Sequence, residues 1–178
     1  MRESPSPTRD TRRLFIGLWP LPEVREALAE HQAQWAWPAG AAPVRADKLH
    51  LTLHFLGDVD RRAVAPLQQA LQAVPAGRFE LPWAGAQRWG GGLAVLLTAP
   101  DHALDVLHAQ LGEVLRQQGL RVESRAFKPH VTLARKAPGA PPPARMPSQP
   151  WRSEGFVLVV SAGGRYEVLS RHGDADPA

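Results

Sequence analysis

The chain has 178 residues, 44% of them hydrophobic, no Cys, and a formal net charge of +4. That length buries a core of its own, the lack of thiols excludes disulfides, thiolate-metal centres and a cysteine nucleophile, and the charge is too small to announce a nonspecific nucleic-acid binder. No run reaches the roughly eighteen apolar residues of a membrane span, and residues 1–12 are polar with no apolar signal segment, so no membrane partner and a cytoplasmic address are expected.

In chain order, Leu14 to Trp19 reads as a first strand, ended by Pro20. Pro22 fits the first turn of a helix, with Glu23 and Glu26 near its positive end and an apolar stripe of Val24, Leu28 and Trp35, which predicts a helix over about 22–36. A Pro/Gly/Ala loop over 38–43 leads to a strand from about Leu49 to Leu56, stopped at Gly57-Asp58. Asp60 caps a second helix with Val64, Leu67, Leu71 and Val74 on its buried side, and Pro66 is expected to kink it or delay its start.

Residues 79–83 and 86–89 read as extended segments, and Gly90-Gly91-Gly92 turns the chain into a strand over Leu93 to Thr98, a hairpin in which Pro82 favours an edge. Asp101 caps the clearest helix, with Leu104, Leu107, Leu111, Val114 and Leu115 on one stripe and Gly119 at its end. A strand follows at about 130–135, then a Pro-rich irregular loop over 136–150 and a last hairpin, Gly155 to Ser161 with Arg165 to Leu169, turned at Gly163-Gly164. Strands pair with strands more than they alternate with helices, which points to an α+β fold with antiparallel sheets.

Two strings carry the chemistry. Ala46-Asp47-Lys48-Leu49-His50-Leu51-Thr52-Leu53 and Ala126-Phe127-Lys128-Pro129-His130-Val131-Thr132-Leu133 share Ala-x-Lys-x-His-apolar-Thr-Leu. Two such strings in a scrambled chain have a probability on the order of one in a thousand. Within each, polar and apolar residues alternate, the period of a half-buried strand. His and Thr therefore project from one face, while Leu51, Leu53, Val131 and Leu133 anchor the other. Brought together, two imidazoles and two hydroxyls form a pocket suited to a phosphate. The repeat further suggests two pseudo-symmetric lobes, with sheets lining a central cleft and helices outside, over residues 13–173. Residues 1–12 are expected to be a disordered tail and 174–178 a frayed end.

Between Arg121 and Arg152 there are seven basic residues against one acid, Glu123, so positive potential surrounds the second string. Lys48, Lys128 and Arg135 are candidates for extra charge. Strict alternation puts Lys48 on the His50 face, whereas Arg135, five residues beyond His130, needs a bulge or a strand end to reach the cleft. His54 completes a His50-Thr52-His54 face, but residues four apart on a strand stand about 13 Å apart, too far to share an ion. His54 is therefore read as a substrate-binding rim residue, with no metal and no other cofactor. Phe55 and Phe127 are read as core, and Trp89 stays open between core and base stacking.

The paired His-x-Thr strings, the first running on as Leu-x-Phe-Leu-Gly and the second preceded by Phe-x-Pro and followed by Ala-Arg, resemble the two-histidine phosphoesterase superfamily. Within it, the chain resembles the RNA 2′,3′-cyclic phosphodiesterases, historically called 2′-5′ RNA ligases, from the opening Leu-Phe-Ile-Gly-Leu to the closing Gly-Arg-x-Tyr-x-x-Leu; the Pro/Ala loop around 138–143 is the one peripheral departure. The resemblance implies a two-lobed fold, a metal-free cleft, and hydrolysis of a 2′,3′-cyclic phosphate end to a 2′-phosphate, with reversible 2′-5′ ligation as a related activity. It also implies His50 as proton donor and His130 as proton acceptor. Thr52, Thr132, Arg135 and His54 are the substrate-binding candidates. RNA ends or small cyclic nucleotides are the expected partners of a monomeric protein, and a noncatalytic nucleotide-binding module is the alternative.

Overall fold

The computed structural model describes residues 10–173. Its strands are β1 (Thr11–Leu18), β2 (Ala42–Pro43), β3 (Leu51–Asp60), β4 (Arg78–Leu81), β5 (Trp83–Trp89), β6 (Leu93–Thr98), β7 (His130–Arg135), β8 (Trp151–Glu154), β9 (Phe156–Ala162) and β10 (Arg165–His172). The helices are α1 (Pro22–Ala33), α2 (Arg61–Leu71) and α3 (His102–Gln117). β1 begins at Thr11, so two residues of the expected tail pair with Asp60 and Val59 of β3. The expected disorder over 1–9 and fraying over 174–178 lie outside the described residues.

Helices form where a start signal meets an apolar stripe. The Asp60 side chain accepts from the Arg62 amide at 2.9 Å to cap α2, and Asp101 accepts from the Leu104 amide at 2.8 Å to cap α3. α2 starts at once after its cap and runs through Pro66, so the expected delay does not occur. α1 stops at Ala33, short of the predicted end, yet Trp35 beyond it stays buried in the core.

One antiparallel sheet, in the order β10-β9-β1-β3-β7-β6-β5, takes β2 as an eighth strand through its pairing with β7. The fold is α+β. β1-α1-β3 and β6-α3-β7 are two copies of one unit, a strand, a helix and an antiparallel neighbour, and they meet at β3 and β7. A single register pair joins those strands, Leu51 with Val131. The two lobes are thus halves of a continuous sheet. Residues 79–83 do not form one extended lead-in to the hairpin: Pro82, which has no N–H for a ladder, separates β4 from β5. β5 and β6 make the hairpin, while β4 pairs with β8 in a separate two-stranded ribbon.

All three helices contribute to the main core. Leu14, Ile16, Leu18, Leu51, Leu53, Val131 and Leu133 from the central strands meet Val24 and Leu28 of α1, Leu67 and Leu71 of α2, and Leu107 and Leu111 of α3. A smaller apolar group, Phe15, Val157 and Val159 with Trp19, Tyr166 and Val168 against it, stands apart from that core. Leu51 is fully buried at the junction of the lobes. Leu51→Ala is therefore expected to lower unfolding free energy by about 2–5 kcal/mol, read as a lower urea midpoint with an unchanged slope.

Candidate active site

The Leu51–Val131 pair places the functional groups. In antiparallel geometry the residues flanking that pair face each other diagonally by sequence, so His50 stands across from Thr132 and Thr52 across from His130. Leu51, Leu53, Val131 and Leu133 are at most 4% exposed. The intervening His50, Thr52, His130 and Thr132 are half-buried and line one cleft of about 470 Å³.

Both imidazoles are held by the same device. Nδ1 of His50 lies 2.7 Å from the Lys48 carbonyl, and Nδ1 of His130 lies 2.6 Å from the Lys128 carbonyl. A carbonyl only accepts, so Nδ1 carries the proton in each ring and Nε2 is left to exchange one. Nε2 of His50 is 2.9 Å from Thr52 Oγ1. The His50 ring stacks on Phe15 with centroids 4.6 Å apart, lies parallel to Trp19 at 6.0 Å, and meets the edge of Tyr166 at 5.6 Å. His130 packs against Trp89 at 4.4 Å.

Gly17 lets β1 lie close to the residue that follows His50: a Cβ there would stand 2.8 Å from the Leu51 carbonyl oxygen, closer than side chains pack, and 3.6 Å from Cδ2 of His50, an ordinary contact. Lys48 is tied across the cleft rim, its Nζ donating to the Gly164 carbonyl and lying 5.1 Å from the Tyr166 ring centroid.

Strict alternation fails at the same place in both lobes. In β3 the register steps from Thr52 opposite Gly17 to His54 opposite Ile16, leaving Leu53 as an extra residue. In β7 it steps from Thr132 opposite Val95 to Ala134 opposite Ala94, leaving Leu133 extra. Each bulge shifts the following residues by one, so the residue three beyond each Thr reaches the cleft. Those residues are Phe55 and Arg135, and both line it. Arg135 is exposed at the strand end, and its charge acts on His50.

His54 leaves the cleft face for the same reason. It is 5% exposed, its Nε2 donates to the His108 carbonyl of α3 at 2.8 Å, and its ring stacks on His108 at 4.1 Å. Gly112 of α3 lies beside it, where a Cβ would make an ordinary contact at 3.5 Å with Cε1 of His54. His54 thus packs β3 onto α3. Phe55, expected in the core, is 40% exposed with the Arg13 guanidinium 5.0 Å from its ring centroid. Phe127 is half-buried and stacks on His108 at 4.0 Å. Among the described residues, no group of three or more His, Asp or Glu is placed to hold a metal ion.

Phe15, Gly17 and Trp19 are functional neighbours that the sequence reading passes over, although their period-2 spacing with Gly between two aromatics was there to see. Tyr166, the only Tyr of the chain, stands in the closing string Gly164 to Leu169, which marks the resemblance but gives it no place beside His50; a hairpin distant in sequence brings it there.

The sequence profile of the 2′-5′ RNA ligase superfamily matches residues 20–160. The chain belongs to this superfamily. The RNA 2′,3′-cyclic phosphodiesterase of Escherichia coli is 33% identical over 141 residues, covering 75% of this chain and 79% of that protein. The RNA 2′,3′-cyclic phosphodiesterase of Thermus thermophilus is 34% identical over 177 residues, 89% of this chain and 88% of that one. Among solved structures, Escherichia coli LigT in apo form superposes with a TM-score of 0.78 at 31% identity, covering 92% of this chain and 99% of LigT. LigT complexed with 3′-AMP gives 0.76 at 30% identity, covering 90% and 96%. As a member of this superfamily, the chain carries both His-Thr pairs on one cleft.

Burial lowers the proton affinity of six imidazoles in the fold. His50 and His108 fall to about 4 from 6.5, and His31, His54, His130 and His172 move the same way. Between pH 6.5 and about 4 the unfolded chain then binds more protons than the folded one. Stability is accordingly highest above pH 6.5 and falls as pH drops through that window; urea midpoints at pH 7.5 and 5 read it, and equal midpoints would contradict the burial. Gly17→Ala is expected to destabilise the protein by about 1–3 kcal/mol through overpacking and to displace His50, so that both the urea midpoint and turnover fall.

Proposed function

We propose that the protein hydrolyses 2′,3′-cyclic phosphate ends of RNA, and small nucleoside 2′,3′-cyclic phosphates, to 2′-phosphates. The observation that carries this reading is the pair of Nδ1-anchored imidazoles, each across from the other motif's Thr, on one cleft. Opening a cyclic diester requires a base for the water proton and an acid for the departing alkoxide, and two imidazoles supply both near neutrality. In the proposed mechanism Nε2 of His130 accepts a proton from water as its oxygen bonds to phosphorus. The bond from phosphorus to the 3′-oxygen breaks, and Nε2 of His50 gives that oxygen a proton. The phosphate remains on the 2′-oxygen. Thr52 and Thr132 hydroxyls donate to the nonbridging oxygens, where charge builds, and Arg135 adds positive charge at the rim.

An acid must begin protonated, yet burial chiefly, with the charges of His130 and Arg135, holds His50 at about 4. A phosphodiester anion supplies the opposite charge and raises it. Proton loading of His50 is thereby coupled to substrate binding. The five residues given roles come from one chain, which supports a monomer as the working unit; we place that unit in the cytoplasm. The intact second His-Thr pair favours turnover over passive nucleotide binding.

Adenosine 2′,3′-cyclic phosphate incubated with the protein in excess chelator is expected to yield 2′-AMP, resolved from 3′-AMP by chromatography. His50→Ala and His130→Ala are each expected to lower kcat/KM about a hundredfold or more. Near wild-type turnover in either variant, activity only on adding metal, or 3′-AMP as the product would refute the mechanism.

A further inference from the structure

Nδ1 of His50 and Nδ1 of His130 meet the same kind of carbonyl, yet the two carbonyls are held differently. Lys48 ends a short 3-10 helix, Ala46–Lys48, with its amide on the Arg45 carbonyl at 2.9 Å and the Leu49 amide on the Ala46 carbonyl at 3.3 Å. Its Nζ is tied to Gly164 as well. Lys128 stands in no such turn. Residues 120–129 form neither helix nor strand, and residues 123–126 and Lys128 are exposed. The ladder takes hold only at Pro129, whose carbonyl accepts from the Thr98 amide at 3.2 Å.

What meets this irregular lead-in is a ring. Phe127 stacks on His108 of α3 with centroids 4.0 Å apart and planes 12° from parallel. The His54 ring stacks on His108 as well, 4.1 Å away and 15° from parallel, and its Nε2 donates to the His108 carbonyl at 2.8 Å. His108 therefore links a residue two past Thr52 to a residue three before His130, a second bridge between the motifs beside the Leu51–Val131 pair. Stacked rings have a preferred orientation, and a planar peptide joins Phe127 to Lys128. Fixing the Phe127 ring thus restrains where the Lys128 carbonyl stands. That carbonyl matters because an imidazole without an acceptor at Nδ1 divides its proton between both nitrogens, and a ring protonated at Nε2 cannot take a proton there.

We infer that His108 is a positioning residue: through its stack with Phe127 it holds the Lys128 carbonyl where that carbonyl keeps Nε2 of His130 free to accept a proton. The inference rests on the base role given to His130 above. His50 has its own turn and strap, so it does not depend on His108.

The test reads the tautomer of each ring by NMR of protein labelled with nitrogen-15 histidine at neutral pH, beside hydrolysis of adenosine 2′,3′-cyclic phosphate. In the wild type both His50 and His130 are expected to carry the proton on Nδ1. In His108→Ala, His130 is expected to become a mixture of tautomers while His50 is unchanged, and kcat/KM to fall about tenfold, within the cost of a small displacement of a catalytic group. His108→Phe keeps a flat ring and is expected to restore both readings. Phe127→Leu keeps apolar bulk without the stack and is expected to give the same split, so the outcome does not hang on His108→Ala folding. A single Nδ1 tautomer of His130 in Phe127→Leu, a His50 tautomer that shifts together with that of His130, or no rescue by His108→Phe overturns the positioning role while the hydrolase reading stands. A wild-type protein that makes no 2′-AMP overturns both.

Discussion

One backbone register pair, Leu51 with Val131, governs the geometry of this molecule. It fixes which residues of two distant segments face the helices and which face the cleft, because side chains alternate about the strand and a slip of one residue exchanges the faces. Both members are fully buried, so hydrophobic burial locks the register that aligns four polar groups on the opposite side. The same contact joins two strand-helix-strand units into one sheet. Stability and site assembly are thus one interaction, since the apolar halves of both motifs are the core at the point where the lobes meet.

Around that contact the protein sets its two imidazoles in different surroundings. Each Nδ1 is fixed by the carbonyl two residues earlier, a restraint within the motif itself. The rest comes from elsewhere in the chain. Phe15, Trp19 and Tyr166 surround His50, and Gly17 lets β1 pass close to the Leu51 carbonyl beside it, whereas the Trp89 ring packs at a tilt against His130. Both rings lose proton affinity, and His50 falls furthest for burial of an aromatic-walled ring beside the positive charges of His130 and Arg135. Identical motif residues acquire unequal chemistry through neighbours the motif does not contain.

Much of this was legible in the chain. Caps at Asp60 and Asp101, the apolar stripe of α3 and the glycine turns mark elements that the structure contains, because those signals are local. The shared face of His50 with Thr52 and of His130 with Thr132 follows from period 2 and from nothing else. The same rule misplaces His54 and Phe55, since one extra residue at Leu53 exchanges their sides. No composition signal marks that bulge; Leu is as ordinary in a bulge as in a ladder. The requirement that Arg135 needs an irregularity to reach the cleft was correct, and Leu133 supplies it. Partners that arrive across long loops, such as Tyr166 at His50 or β8 at β4, depend on packing that no local pattern encodes.

The twin bulges give the site a direction. Duplicated lobes alone would build a cradle with twofold symmetry, in which a placement and the same placement after a half-turn are equivalent. The position three past each Thr breaks that equivalence: one lobe presents a flat hydrocarbon ring there, the other a cation. The two halves are thus equal in their His and Thr and unequal three residues further on, where one side reaches its positive charge only through the Arg13 guanidinium laid over a ring and the other carries it on the strand itself.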